Sequence, residues 1–199
     1  MARKKAYEEK IVKLIVLKEG IYDLEKTLII TYPISIHGAG QDSTILQRHG
    51  IQIKGTKEEK KRVNMQGMTM KGSSGTGLSA DNGLSFLCKD MTFTQCGSDG
   101  VNACNTKGRL INCVVTQCGW CGIYCYENAL IELEGDQTKV DGNGTSGNSN
   151  YYGLKTWDTS SIIHLLFPLT KEYVSTNNHG GRNYGTSVQI QTINSFGSD

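Results

Sequence analysis

Proline, a charge imbalance and a long apolar run are all scarce in this chain of 199 residues. Pro33 and Pro168 are the only prolines, against 24 glycines. Abundant glycine without proline suits many tight turns between short strands, and argues against a proline-rich disordered chain. Lysine and arginine number 21 against 19 acidic residues, a net charge of +2. That balance calls for neither a nucleic-acid partner nor a membrane surface. The apolar run near the N-terminus, Ile11-Val-Lys-Leu-Ile-Val-Leu17, is broken by Lys13 and followed at once by Lys18-Glu19-Gly20. It is far below the ~20 residues that cross a bilayer. It is also shorter than a secretory core with its small-residue cleavage site. A soluble protein, cytoplasmic or otherwise intracellular, is expected. Helical patterning is scarce as well. No segment past residue 20 carries an amphipathic stripe, and only residues 3–14 read as a short helical cap.

A repeat fills the space these absences leave. Met68-Thr-Met-Lys-Gly-Ser-Ser-Gly-Thr-Gly77-Leu78, Met91-Thr-Phe-Thr-Gln-Cys-Gly-Ser-Asp-Gly100-Val101 and Cys113-Val-Val-Thr-Gln-Cys-Gly-Trp-Cys-Gly122-Ile123 repeat one another, with marker glycines 23 and then 22 residues apart. A fixed period of this size means stacked structural units. Gly153-Leu154 continues the glycine column after an insertion rich in glycine, serine and asparagine at 141–152. Val174-Ser-Thr-Asn-Asn-His-Gly-Gly181 reads as a further copy of Val115–Gly122. Short β-branched runs such as Leu28-Ile-Ile30, Ile34-Ser-Ile36, Thr44-Ile-Leu46 and Ile51-Gln-Ile53 lie between turn residues and read as strands. Lys57–Arg62 reads as a solvated loop, and residues 195–199 as a tail.

Alternation sorts the side chains. Met68, Met70, Met91, Phe93, Cys113 and Val115 point inward, with Thr69, Thr92 and Val114 outward. Leu78, Val101, Ile123 and Leu154 form a second inward column, and Ala80, Ala103, Cys125 and Thr156 a third. Stacking sets Gln95 over Gln117 as an amide ladder and Cys96 over Cys118. Two outward columns result, Ser79, Asn102, Tyr124, Lys155 and then Asp81, Cys104, Tyr126, Trp157.

The early segment Gly20-Ile-Tyr-Asp-Leu, Leu28-Ile-Ile, Pro33-Ile-Ser-Ile-His-Gly-Ala-Gly40 and Ser43-Thr-Ile-Leu46 resembles the opening coils of right-handed parallel β-helix proteins of the pectate-lyase-like superfamily. With the repeats, the resemblance spans most of residues 14–193. It implies an all-β fold, a right-handed parallel β-helix (β-solenoid) of about seven coils. Residues 1–199 then form a single domain, with a short helical cap within 1–14.

The resemblance is specific for fold. The superfamily holds lyases, hydrolases, esterases, epimerases, phage tailspikes and noncatalytic repeats, so function must be argued from the site. Its lyases use an arginine or lysine base, many with acid-bound calcium, so calcium is the expected cofactor of the lyase reading alone; otherwise none is expected. Its polygalacturonases carry histidine-glycine and arginine elements that Asn178-His-Gly-Gly-Arg182 resembles, which makes His179 and Arg182 candidates. Their aspartate pair has no counterpart here, and an exposed turn histidine is the plainer reading of His179. Hydrolysis of a glycosidic bond needs two carboxyl groups at a set separation. Asp141 and Asp158 are the candidates, while Glu132 and Glu134 alternate with Ile131 and Leu133 as an ordinary solvent face.

Cys118, Cys121 and Cys125 are spaced like metal ligands, but the register sends Cys125 inward and leaves the other two in a turn, so no metal site is expected. The seven cysteines read best as small buried hydrophobes. Cys96 and Cys118 fit disulfide spacing, yet an odd cysteine count and no export signal favour reduced thiols. The outward face of Asn102, Tyr124, Tyr126, Lys155 and Trp157 is the candidate ligand surface, because sugar-binding grooves pair aromatic faces with fixed polar groups. Plain cross-strand pairing of exposed aromatics is the alternative. The leading expectation is a noncatalytic module that binds a carbohydrate or a protein partner through that face. A polysaccharide lyase or glycoside hydrolase comes second, and a structural protein that oligomerises through its solenoid ends comes third.

Overall fold

Strands this short, with one apolar side each, cannot bury their own surface; they do so by stacking on copies of themselves. The computed structural model describes residues 13–56, 61–180, 182–185 and 188–194. Every strand pairing in it is parallel. The chain winds into a parallel solenoid with three sides.

The first side stacks Leu14–Val16, Ser35–His37, Arg62–Lys71, Ser85–Thr94, Lys107–Ile111, Leu130–Glu134, Ile162–Leu166 and Ile190–Ile193 in chain order. The second side runs from Gly20–Asp23 and Thr44–Gln47 through Val114–Thr116 and Lys139–Asp141 to Ser175–Thr176. Arg62–Lys71 and Ser85–Thr94 turn the corner between these two sides, which makes them one 13-stranded sheet. The third side is a separate seven-stranded sheet of Leu28–Ile30, Ile51–Lys54, Leu78–Asp81, Val101–Cys104, Ile123–Tyr126, Tyr152–Thr156 and Arg182–Tyr184. The solenoid has about eight turns rather than the seven expected. The glycine column marks only the third side, and Ile190–Ile193 adds an eighth strand to the first.

The interior is one continuous apolar column. Met65, Met68, Met70, Met91, Phe86, Phe93, Val115, Leu110, Ile123 and Leu133 are all buried, as the alternation requires. Thr69 is outward but covered: its hydroxyl donates to the Gln41 carbonyl at 2.7 Å, while the Thr92 hydroxyl meets Gln41 Oε1 at 2.6 Å. The first coil differs from the rest. Leu14, Val16, Ile21 and Ile29 occupy outward positions and are exposed, although they are apolar. Residues 1–12 of the expected cap and the tail from 195 lie outside the described residues, and Leu14 itself belongs to a strand. A helical turn forms elsewhere, at Lys171–Val174, where the Thr170 side chain accepts from the Tyr173 N–H at 3.2 Å. Four residues are too few to leave a helical periodicity in the sequence.

The corner between the second and third sides is built the same way in successive coils. Gly72, Gln95, Gln117, Gly142 and Asn177 all sit there with φ between 51° and 65°. Non-glycine residues pay about 1 kcal/mol or more for this left-handed conformation. The amide ladder helps offset that cost, with Gln95 Nε2 donating to Gln117 Oε1 at 3.2 Å. The next position in each coil turns inward and reads Ser73, Cys96, Cys118, Asn143 and Asn178. Asn143 is fully buried. Its Nδ2 donates to the Val115 carbonyl at 2.9 Å and to Asn178 Oδ1 at 3.0 Å, and its Oδ1 accepts from the Cys118 N–H at 3.1 Å. The sulfur ladder thus passes into an asparagine ladder.

That ladder corrects the last repeat. Val115 pairs with Val140 and Val140 with Ser175, so Ser175 rather than Val174 occupies the Val115 position. Val174 closes the short helix instead, and the copy is displaced by one residue. His179 therefore follows Asn178 over Gly144, not over Trp120; its N–H donates to the Asn143 carbonyl at 2.7 Å.

Candidate functional site

The third side sets its outward residues in straight rows. Gln52, Ser79, Asn102, Tyr124 and Lys155 are register partners from coil to coil. The neighbouring row is Lys54, Asp81, Cys104 and Tyr126. Trp157 extends it, since its N–H donates to the Cys125 carbonyl at 3.0 Å. The structure therefore brings together Asn102, Tyr124, Tyr126, Lys155 and Trp157. The Tyr124 and Tyr126 rings stack with centroids 5.1 Å apart at 25°. Lys155 Nζ lies 5.3 Å from the Tyr124 ring, 5.2 Å from Trp157 and 5.7 Å from Tyr152, and donates to the Asn150 carbonyl at 2.7 Å. Each ring face is within cation–π reach. Trp157 remains 69% exposed. Burial comes first in pushing the Tyr124 and Tyr126 hydroxyls up to about 12, so both stay protonated donors.

The inserted loop adds to this cluster. Gly144 N–H donates to the Trp120 carbonyl at 2.8 Å, and Ser146 N–H to the Gly119 carbonyl at 3.1 Å, so the loop folds back on the preceding turn. Tyr151 then stacks on Trp120 at 5.2 Å and 13°. Trp120 and Tyr151 thus stand where the third-side strands begin and Trp157 where they end, with Lys155 reaching Tyr152, Tyr124 and Trp157 between them. Tyr151 and Tyr152 close the insertion as an adjacent pair, a sequence signal that could have pointed to them; Trp120, 21 residues before the insertion, carries none.

Asp99 was not foreseen either. It is 4% exposed, at the turn before Val101–Cys104. Its carboxylate accepts from the Cys121 N–H at 2.9 Å and from Asn102 Nδ2 at 3.3 Å. Burial raises its pKa, against those hydrogen bonds and the charge of Lys155. Asn102 Oδ1 is buried beside it with no hydrogen-bond partner among the described residues. An Asp-Gly pair signals a turn, and nothing in it signals burial. Further toward the N-terminus, a polar cleft of about 230 Å³ opens on the same row, lined by Thr27, His49, Gln52, Ser74, Thr76 and Ser79 among others.

The other candidates are dispersed. Asp141 lies on the second side, where its Oδ1 accepts from Thr176 Oγ1 at 2.7 Å and Asn177 Nδ2 at 2.9 Å. Asp158 closes a turn: Oδ1 accepts from the Ser160 hydroxyl at 2.6 Å and from the N–H groups of Ser160 and Ser161, and Oδ2 accepts from the Glu127 N–H at 2.7 Å. The Ser160 hydroxyl leads these bonds in holding its carboxyl at about 2. His179 is exposed in the corner turn, and Arg182 is exposed on the last third-side strand, in register with Tyr152. On the first side Arg109 stands between strands with Glu134 at 2.8 Å and Glu132 at 4.0 Å. The spaced cysteines diverge as expected: Cys118 stacks on Cys96, Cys121 lies by Asp99, and Cys125 fits between Ala103 and Thr156. Among the described residues no cluster of three or more His, Cys, Asp or Glu side chains could hold a metal ion. No described helix is long and apolar enough to cross a membrane.

Residues 29–167 match the family described as right handed beta helix region. Among solved structures the chain is similar to a protein of Geobacillus virus E2, ORF18, with a TM-score of 0.55 and 16% sequence identity over 88% of this chain and 35% of that one. The likeness is one of fold, and this chain spans about a third of that protein's length. No curated protein matches it.

Proposed function

This chain belongs to the right-handed β-helix family, and on that premise we propose that it is a noncatalytic module that binds an oligosaccharide along the corner of its third side. The observation that carries the reading is Trp157, left exposed beside a lysine that already contacts three rings. Aromatic faces suit the apolar surfaces of sugar rings, and a few fixed polar groups suit their hydroxyls. Asn102, Lys155 and the tyrosine hydroxyls supply such groups within reach of the rings. The polar cleft at His49, Ser74 and Ser79 extends the same row N-terminally. From Gln52 to Lys155 there are four register steps, roughly 19 Å at the ~4.8 Å spacing of paired strands. A ligand of several sugar units laid across the strands fits that length.

The noncatalytic part of the reading rests on the carboxylates. Both Asp158 oxygens are committed to the turn, Asp141 is engaged on another side, and the groups that act on Asp99 are Asn102, Cys121 and Lys155, with no carboxylate among them. A carbohydrate-active enzyme, lyase or hydrolase, remains the second reading on one observation: Asp99 is a buried carboxyl with a raised pKa next to Lys155, the kind of environment that tunes a general acid.

The test is binding and turnover measured together on a glycan panel that includes uronates, with wild type and Trp157→Ala. Affinity that grows with oligosaccharide length, falls in the variant and comes without product supports the module. Product formation promotes the enzyme reading and directs mutagenesis to Asp99. No binding at all sinks the sugar reading and leaves protein assembly, for which the exposed apolar residues of the first coil would be the surface.

A further inference from the structure

Seven cysteines are present, all reduced and all buried. Five have no thiol in the equivalent position of a neighbouring coil. Cys88 pairs with Leu110, Cys104 with Asp81 and Tyr126, Cys125 with Ala103 and Thr156, and Cys113 follows Met91 in its column. Cys121 stands between Asp99 and the N–H of Tyr152. Cys96 and Cys118 alone match. Each follows a glutamine of left-handed conformation, φ 56° and 57°, and each opens a turn whose glycine bonds back one coil: Gly97 N–H to the Ser73 carbonyl and Gly119 N–H to the Cys96 carbonyl, both at 2.8 Å. In-register neighbours on paired strands are ~4.8 Å apart, inside the Cα range that a disulfide spans. The two sulfurs hang from equivalent points of adjacent coils, Cys96 Sγ donating to the Thr94 carbonyl at 3.7 Å and Cys118 Sγ to the Thr116 carbonyl at 3.5 Å.

We propose that Cys96 and Cys118 are a modification site, a thiol pair that hydrogen peroxide or a similar hydroperoxide converts into a disulfide across adjacent coils of the folded protein. Ionisation sets the order of events. The neighbouring Cys118 thiol lowers the pKa of Cys96, while Cys96 and burial push the Cys118 thiol up, so Cys96 is the first to become a thiolate. Cys96 sulfur attacks one peroxide oxygen, the O–O bond breaks, and the departing hydroxide takes a proton to leave as water. Cys96 is then a sulfenic acid. Cys118 sulfur attacks it, the S–O bond breaks, and hydroxide leaves with the Cys118 proton as a second water. Two thiols and one peroxide give one disulfide and two waters; each sulfur loses one electron and each oxygen gains one. The other thiols lack an easy ionisation: Cys113 lies by Cys88, its Sγ donating to the Cys88 carbonyl at 3.5 Å, but burial raises Cys88 and pushes Cys113 and Cys121 up to about 12, and the thiolate is the reactive form.

The link has a place in the molecule. Cys96-Gly97-Ser98 leads directly to Asp99, and Cys118-Gly119 leads to Trp120. An oxidised pair clamps together the two turns that carry these residues to the aromatic corner.

The experiment treats the full folded chain with hydrogen peroxide, quenches it, unfolds it and counts thiols, with mapping by mass spectrometry. Wild type is expected to lose two of its seven free thiols, to lose two hydrogens in mass, and to regain both with dithiothreitol. Fragmentation of the linked tryptic peptides, separated by cleavage at Lys107 and Arg109, assigns the bond to Cys96 and Cys118. Cys118→Ser is expected to yield a dimedone adduct on Cys96 and no disulfide. Seven intact thiols after treatment overturn the proposal. So does a bond between other cysteines, or a Cys96 sulfinic acid beside an intact Cys118. Should Cys118→Ser fail to fold, the wild-type map decides by itself.

Discussion

The first and third sides come from the same winding and face water in the same way, yet they treat their polar groups differently. On the first side Arg109 meets Glu134 at 2.8 Å and Glu132 at 4.0 Å on the adjacent strand, although its Nε is buried with no hydrogen-bond partner among the described residues. On the third side Trp157 is exposed, Lys155 is ringed by aromatics, and Asn102 Oδ1 is buried with no hydrogen-bond partner among the described residues. The first side pairs its charges with one another, whereas the third surrounds its lysine with rings and leaves a tryptophan open to water. A buried acceptor without a donor costs roughly 1–3 kcal/mol, and a surface row of aromatics adds nothing to the interior core. Each side buries one unpartnered polar atom, so unsatisfied groups do not separate the two; what does is the partner of the charge, carboxylates on the first side and aromatic rings on the third.

The comparison can be broken most severely at the corner that holds the third side in place. Asn143→Ala leaves the Cys118 N–H buried without its partner and removes the side-chain bond to the Val115 carbonyl. At about 1–3 kcal/mol for an orphaned buried group, a loss of about 2 kcal/mol in denaturant unfolding is expected. Trp157→Ala should instead leave unfolding nearly unchanged and weaken oligosaccharide binding about tenfold, about 1.4 kcal/mol, by titration calorimetry. A Trp157→Ala protein that binds as wild type does would make the two sides equivalent.

Asp158 tests the rim of the aromatic side. Its pKa is held at about 2, below the ~3.9 of an unfolded aspartate. A depressed carboxyl stabilises above the unfolded value and loses that contribution as pH falls through the folded one. Asp158→Asn should therefore cost about 1 kcal/mol at pH 7, the scale of a lost capping group. The difference from wild type should close between about pH 4 and pH 2 in thermal melts. The smallest effect belongs to the first side. Glu134→Gln removes one exposed charge pair, worth less than about 1 kcal/mol, and should leave glycan affinity untouched. A change in affinity there would bring the first side into the site.

Much of this was legible because a period fixes neighbours. Once Gly77, Gly100 and Gly122 are aligned, the partners of Asn102, Tyr124 and Lys155 follow, and the Gln95–Gln117 ladder with them. Where the period breaks, reading fails. The insertion after Asp141 hid an additional step in the ladder, so Val174 was placed one residue out of register. Asp99 illustrates a second limit. Its burial arises from the turns above and below it, not from its own neighbours in sequence. Nor does a period say whether an aromatic row is a ligand surface or mere pairing, since both place the same residues side by side.

The inserted loop carries a consequence of its own. Gly122 to Gly153 spans nine more residues than Gly100 to Gly122, yet the strands on either side keep the same register. Asn143 anchors the loop where it leaves the coil, and Tyr151 against Trp120 anchors it where it returns. Residues 145–150 between these anchors are exposed and beside the aromatic corner. The segment is therefore a replaceable cassette: a guest sequence exchanged there changes what lies next to Lys155, whose ammonium donates to the Asn150 carbonyl, while the scaffold keeps its winding.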